Sequence, residues 1–202
     1  MTTPTQYAIV GSGHVGSALA QLFARAGIEV AIANTRGPES LGSLVASLGS
    51  GVRAVPLAEA LESDLIFMAI PFPAVEQFAA SLPSWSGKTV VDTTNAHYAP
   101  NSASILQGRR STHYVAEKLA GADVVKAFNQ LPAETLAAEL DVEVGRRVIF
   151  VASDSPEAAE RVAKLVGDLG LAAVQLGRID EGGRLVEVPN ALVLRNLIEQ
   201  PL

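Results

Sequence analysis

The sequence predicts an α/β fold: a doubly wound, mostly parallel sheet with a small C-terminal extension. Three observations carry this. Short apolar runs alternate with helix-patterned segments from end to end. One run, Asp64-Leu-Ile-Phe-Met-Ala-Ile70, is continuously apolar after its first residue, as strands buried on both faces of a parallel sheet are. The first run closes in a glycine-rich turn that opens a helix.

The elements follow in order. Residues 7–10 (YAIV) form a strand. From Val15 to Ala26 the apolar residues Val15, Leu19, Leu22, Phe23 and Ala26 recur at helical spacing, and Gly27 stops that helix. Residues 28–34 are the next strand, 39–49 a modest helix, 51–55 a strand, 57–62 a short helix and 64–70 a strand. The segment 73–82 is helical and 87–94 extended. Residues 95–110 are polar and expected as a long loop, of the kind that often carries function. A helix follows from 111, with Ser111 or Thr112 as its cap. Residues 122–129 form a strand, and 132–140 a short helix with Pro132 in its first turn. A β-α-β unit then spans 146–153, 155–170 and 171–177, its helix signalled by Ser155, Pro156 and Gly170. The tail 185–198 reads as a helix broken or started near Pro189. The expected organisation is a nucleotide-binding domain over 1–145, with 146–202 packed on it as one unit. That second part extends the sheet or forms a small lobe.

Composition narrows the function. The 202 residues are 49% hydrophobic, enough for one ordinary core. Net charge is −6 with no basic stripe, so a nucleic-acid partner is not expected. With no cysteine, thiolate nucleophiles, disulfides and Cys-based metal sites are excluded. The N-terminal residues lack a basic and apolar leader, and no run is long enough for a bilayer, so a cytoplasmic protein without membrane contact is expected. The three histidines, His14, His97 and His113, lack the spacing of a helical metal site. Ser86-Gly-Lys-Thr89 is not a phosphate loop, because it precedes a strand and has Leu82 where a glycine is required.

The chemistry resides in the turn Gly11-Ser12-Gly13-His14-Val15-Gly16. Gly11 permits the tight exit from the strand, Gly13 the approach of a pyrophosphate, and Gly16 close packing of helix on strand. The helix N-terminus offers N–H groups and a positive dipole end to phosphates. His14 either touches the pyrophosphate or faces solvent. At the end of the second strand, where NAD binders place an acid, stand Asn34, Thr35 and Arg36. A neutral residue, a hydroxyl and a guanidinium suit the 2′-phosphate of NADP(H). Ligands of such folds lie beyond the carboxyl ends of the strands. The residues there are Ile70, Pro71 and Phe72 as an apolar wall, then Thr93, Thr94 and Asn95, then Phe128, Asn129 and Gln130. Asn129 is a candidate orienting residue for the nicotinamide carboxamide or a co-substrate carbonyl. No general acid stands out.

The segments IVGSGHVGSALA, ANTRGPE, VVDTTNA, VVKAFNQLPAETL and GRLVE resemble, in order and spacing, those of the NADPH-dependent deazaflavin reductases, or F-420:NADP oxidoreductases. The resemblance implies a Rossmann-type fold and direct hydride transfer between NADPH and coenzyme F-420, FMN or FAD as small-molecule co-substrate, without a catalytic side chain. It also implies a closing C-terminal helix and a homodimer. Two other readings stay open: an imine or carbonyl reductase completed across a dimer, and a non-catalytic NADP(H)-binding redox sensor.

Overall fold

The computed structural model describes residues 6–139 and 143–200. Among these residues nine strands share one sheet: β1 (Tyr7–Val10), β2 (Val30–Ala33), β3 (Val52–Ala54), β4 (Leu65–Met68), β5 (Thr89–Asp92), β6 (Asp123–Ala127), β7 (Arg146–Ser153), β8 (Ala172–Gln175) and β9 (Ile198–Glu199). The spatial order is β3-β2-β1-β4-β5-β6-β7-β8, and β9 pairs with β7. Strands β1 to β6 run parallel; β7 enters antiparallel to β6, and β8 follows it parallel. The chain reverses direction across the sheet between β1 and β4, which opens a crevice at the carboxyl ends of those strands.

Strand side chains alternate between two packed layers, as a period of two dictates. Ile9, Phe67, Val91 and Val125 face α1 (His14–Ala26) and α8 (Pro156–Asp168). Ala8, Val10, Ile66, Met68, Val90 and Val124 face α3 (Leu57–Ala60), α4 (Val75–Ala79) and α6 (Ser111–Lys118). In the first layer Tyr7, Phe23, Phe67 and Phe128 form a chain of ring contacts at 5.5–5.6 Å. The remaining helices are α2 (Gly42–Leu48), α5 (Ser102–Leu106) and α7 (Ala133–Ala137). The helix stops act as their residues require. Gly27, at φ 66°, donates to the Phe23 and Ala24 carbonyls at the end of α1. Ser155 accepts from the Ala158 N–H at the start of α8.

Four expectations need correction. Residues 95–110 are not one loop: they hold a 3-10 turn at Ala96–Tyr98 and the helix α5. The cap of α6 is the backbone of Arg110, while the Ser111 and Thr112 hydroxyls donate elsewhere, to Glu187. Pro132 stands at the cap of α7, one residue before its first turn. Finally, the closing helix does not form. Gly182–Val186 is a 3-10 turn, and the chain then runs as a strap to β9. Its backbone makes short turns within the strap, such as the Asn190 N–H to the Glu187 carbonyl at 2.8 Å, and bonds that tie it to the body: the Leu194 N–H donates to the Gln130 carbonyl at 2.7 Å, and the Val148 N–H donates to the Leu197 carbonyl at 2.9 Å. Pro189 has no N–H to give to a helical ladder.

Candidate active site

The glycine turn meets its requirements atom by atom. Gly11 sits at φ 111°, and a Cβ there would collide with the Ala69 carbonyl of the neighbouring strand exit. A Cβ on Gly16 would strike the Gly11 carbonyl, which fixes how closely α1 approaches β1. Gly13 differs: nothing lies within 4 Å of the position its Cβ would take. Protein packing therefore does not demand glycine at 13, and the space beside it is free for a ligand. The N-terminus of α1 carries no side-chain cap and no acid in its first turn. Its N–H groups and positive dipole end meet open solvent, which favours an anion. This arrangement fits the pyrophosphate of a dinucleotide.

At the end of β2, Asn34 organises the neighbouring turn. Its amide donates to Ser12 Oγ at 2.9 Å and to Ser40 Oγ at 3.0 Å, and its Oδ1 accepts the Arg36 N–H at 2.9 Å. Ser40 Oγ also donates to the Gly37 carbonyl at 2.7 Å, and Gly37 sits at φ 90°. Asn34 thus locks a short loop that carries Thr35 and Arg36 outward. Both are exposed, and no carboxylate among the described residues pairs with Arg36. A free guanidinium with no acid at the strand end fits a 2′-phosphate.

Beyond the glycine turn lies a cleft of about 510 Å³, lined by Gly13, His14, Ile70, Pro71, Phe72 and Asn95 with Thr93, Tyr98 and Pro100. The sequence-expected residues at the ends of β1, β4 and β5 therefore meet at one place. Thr93 is held by a hydrogen bond of its Oγ1 to the Met68 carbonyl at 3.0 Å. Phe72 is anchored against Tyr114, ring to ring at 5.5 Å.

Two expected site residues lie beneath the cleft instead. Phe128 is 1% exposed and its ring packs on Phe67. Asn129 is 4% exposed, and its amide donates to Asn95 Oδ1 at 3.1 Å and to the Val186 carbonyl at 2.7 Å. Both of its N–H bonds are spent inside the protein. Asn95 returns a bond to the Asn129 carbonyl at 2.8 Å and is the member of the pair that reaches the cleft.

Sequence reading missed a charged support below this floor. Asp92 and Lys126 are register partners on β5 and β6, and both side chains are fully buried. Lys126 Nζ donates to Asp92 Oδ2 at 3.0 Å and to the Thr94 carbonyl at 2.5 Å, while Asp92 Oδ1 accepts the Thr94 N–H and hydroxyl. The signal was present as two opposite charges set within the apolar runs of adjacent strands, Asp92 in TVVD and Lys126 in DVVKA. Glu187 was also missed. Its Oε1 accepts from Ser111 Oγ, the Thr112 N–H and Thr112 Oγ1 at 2.7–3.0 Å. Burial would push its carboxyl up, but the Thr112 and Ser111 hydrogen bonds and the Lys126 charge together hold it below the ordinary carboxylate range. Tyr98, 64% exposed, stands at the cleft mouth because residues 96–98 curl into a turn.

Residues 6–96 match the family model described as NADP oxidoreductase, coenzyme F420-dependent. No curated protein sequence matches the chain. Among solved structures, a hypothetical protein from Sinorhizobium meliloti shares 41% identity over 97% of this chain and 96% of its own, with a TM-score of 0.90. An Arthrobacter protein assigned as an F420-dependent NADP-reductase shares the fold at 23% identity, over 90% of each chain, with a TM-score of 0.70. A reductive aminase from Aspergillus terreus, in complex with NADPH and ethyl levulinate, shares the fold at 24% identity and a TM-score of 0.59; the match covers 87% of this chain but 56% of that one. No helix among the described residues is long and apolar enough to cross a membrane. The glycine turn and the arginine loop lie inside the segment that matches the model of coenzyme F420-dependent NADP oxidoreductases, and over 97% of its length the chain belongs to one family with the Sinorhizobium protein.

Proposed function

We propose that the protein transfers hydride between NADPH and a deazaflavin (coenzyme F-420) or flavin such as FMN or FAD. One observation carries this reading: the cleft next to the glycine turn has an apolar wall, and among the described residues lining it there is no Asp, Glu, Lys or Arg. Such a slot suits two stacked rings that exchange hydride directly, because that reaction needs orientation and dryness rather than a charged acid. Bound NADPH supplies the hydride. In this reading Gly13 and the N-terminus of α1 hold its pyrophosphate, and Arg36 holds its 2′-phosphate. Ile70, Pro71 and Phe72 keep water from one side of the slot, while Asn95, fixed by Asn129, offers a polar contact to a ring edge. The active species is a cytoplasmic homodimer that acts on a small co-substrate.

Titration with NADPH and NADH, followed by mixing with F-420, FMN and FAD, tests this by loss of nicotinamide absorbance. Strong preference for NADPH and oxidation by one acceptor are expected. NADPH binding with no acceptor turned over would overturn the reading.

A second reading rests on Tyr98. Its hydroxyl is a protic group at the exposed mouth of the cleft and could protonate an imine or carbonyl as hydride arrives. The shared fold of the reductive aminase supports it. Turnover of cyclic imines or small ketones without flavin, lost in Tyr98→Phe, would favour this reading over the first.

A further inference from the structure

We infer that a second pocket, beside the cleft, binds an anionic group carried by the hydride acceptor, a phosphate or carboxylate. The inference rests on the hydride-transfer reading above. The pocket encloses about 490 Å³ and touches the cleft through Asn95, which lines both. Its walls include His97, Arg109, Arg110, Arg184 and Glu187. Three arginines against one carboxylate make a positive concavity on a chain whose net charge is −6.

The three guanidinium groups differ in what they are free to do. Arg109 is fixed: its Nε donates to the Leu106 carbonyl at 3.0 Å, one terminal nitrogen to the Ile105 carbonyl at 3.1 Å and the other to Glu117 at 2.7 Å. It also stands 5.0 Å from the centre of the Tyr114 ring. Arg110 and Arg184 have no carboxylate partner among the described residues. They come from distant parts of the chain, the cap of α6 and the 3-10 turn Gly182–Val186. Glu187 brings those parts together by accepting from Ser111 and Thr112 through Oε1, and its one negative charge against Arg110 and Arg184 leaves the pocket with a surplus of positive charge. Arg110 and Arg184 both line this one concavity, and guanidinium groups offer forked donors suited to a phosphate or carboxylate oxygen pair.

An acceptor ring seated in the cleft would extend its side chain past Asn95 and deliver its anion here. FMN and riboflavin share one ring system and differ by a phosphate, so they separate the ring contribution from the anion contribution. The test is a fluorescence titration of the NADP-loaded protein with each flavin, in the wild type and in R110A/R184A. FMN should bind about tenfold more tightly than riboflavin, as charge-assisted hydrogen bonds imply. The double variant should bring FMN to the riboflavin level and leave riboflavin and NADP binding unchanged. Equal binding of the two flavins by the wild type, or an FMN advantage that survives the double variant, would overturn the pocket and leave the hydride-transfer reading standing. If neither flavin binds, the flavin reading is what has failed. Calorimetric titration with inorganic phosphate then decides the pocket: heat from the wild type that the double variant lacks upholds it as an anion site, and no heat from the wild type overturns it.

Discussion

The Asn34 amide donates to Ser12 Oγ at 2.9 Å, so the residue at the end of the second strand is tied to the glycine turn. The same side chain accepts the Arg36 N–H. Asn34 therefore does two things: it leaves the strand end uncharged and it holds the arginine loop in place. Asn34→Asp should separate them. The carboxylate can still accept from the Arg36 N–H, and Ser12 Oγ can rotate to donate to it. The loop should stay, but a negative charge now faces the 2′-phosphate. NADPH should weaken roughly tenfold, about 1.4 kcal/mol, while NADH holds or tightens. Parallel titrations check this, and equal loss of both cofactors would mean that the loop itself has moved.

Arg36 bears on the same selectivity from the other sign. It is exposed and unpaired, so Arg36→Ala removes no contact within the described protein. Melting should not change. NADPH should lose about 1.5–3 kcal/mol, as for a charged hydrogen-bond partner, with NADH nearly unaffected. Affinities for both cofactors and a melting curve suffice to check it.

The three glycines of the turn should behave differently under the same substitution. Gly11→Ala puts a methyl into the Ala69 carbonyl and forces φ 111° on a residue with a side chain. It should unfold or strongly destabilise the protein. Gly16→Ala meets the Gly11 carbonyl and should act alike. Gly13→Ala meets nothing within 4 Å, so its melting temperature should match the wild type while dinucleotide affinity falls. A thermal melt and a binding titration on each variant separate packing from ligand recognition.

Much of the fold is legible in the sequence because local chemistry and global packing agree there. The glycine spacing, the apolar strands and the Ser155-Pro156 start of α8 each state one structural demand. The misses have physical causes. Periodicity over 185–198 suggests a helix, but the backbone of this segment bonds to Gln130 and β7, and tertiary pairing overrides the pattern. Phe128 and Asn129 follow a strand end, and sequence does not reveal that φ 60° at Phe128 turns its ring into the core. Glu187 could not be linked to Thr112 because 75 residues separate them. By contrast, Asn34, Arg36, Ile70, Pro71 and Asn95 stand where strand ends must converge.

The buried pair of Asp92 and Lys126 is a stability determinant beneath the cleft floor. Lys126→Met strands a buried carboxylate and frees the Thr94 carbonyl, so it should cost about 3–5 kcal/mol. Asp92→Asn in that background removes the stranded charge and should recover part of the loss. A double-mutant cycle by denaturant unfolding measures the coupling, and additive losses would show that the pair contributes no mutual stabilisation.

Glu187 should make stability depend on pH at the acid side. Its folded-state carboxyl titrates below the ordinary range, so the folded protein binds the carboxylate form better than the unfolded chain does. The contribution is complete above the unfolded-state value and is lost as pH falls through the lowered folded-state value. Glu187→Gln should cost about 1.5–3 kcal/mol at neutral pH, as for hydrogen bonds to a charged acceptor. The gap between variant and wild type should close progressively below the ordinary carboxylate range. Because Glu187 clamps the tail to Ser111 and Thr112, the variant should also exchange the Thr112 amide hydrogen faster at neutral pH. Unfolding curves across the acid range together with hydrogen exchange check both effects. A gap that stays constant with pH would place the role of Glu187 in packing rather than in charge.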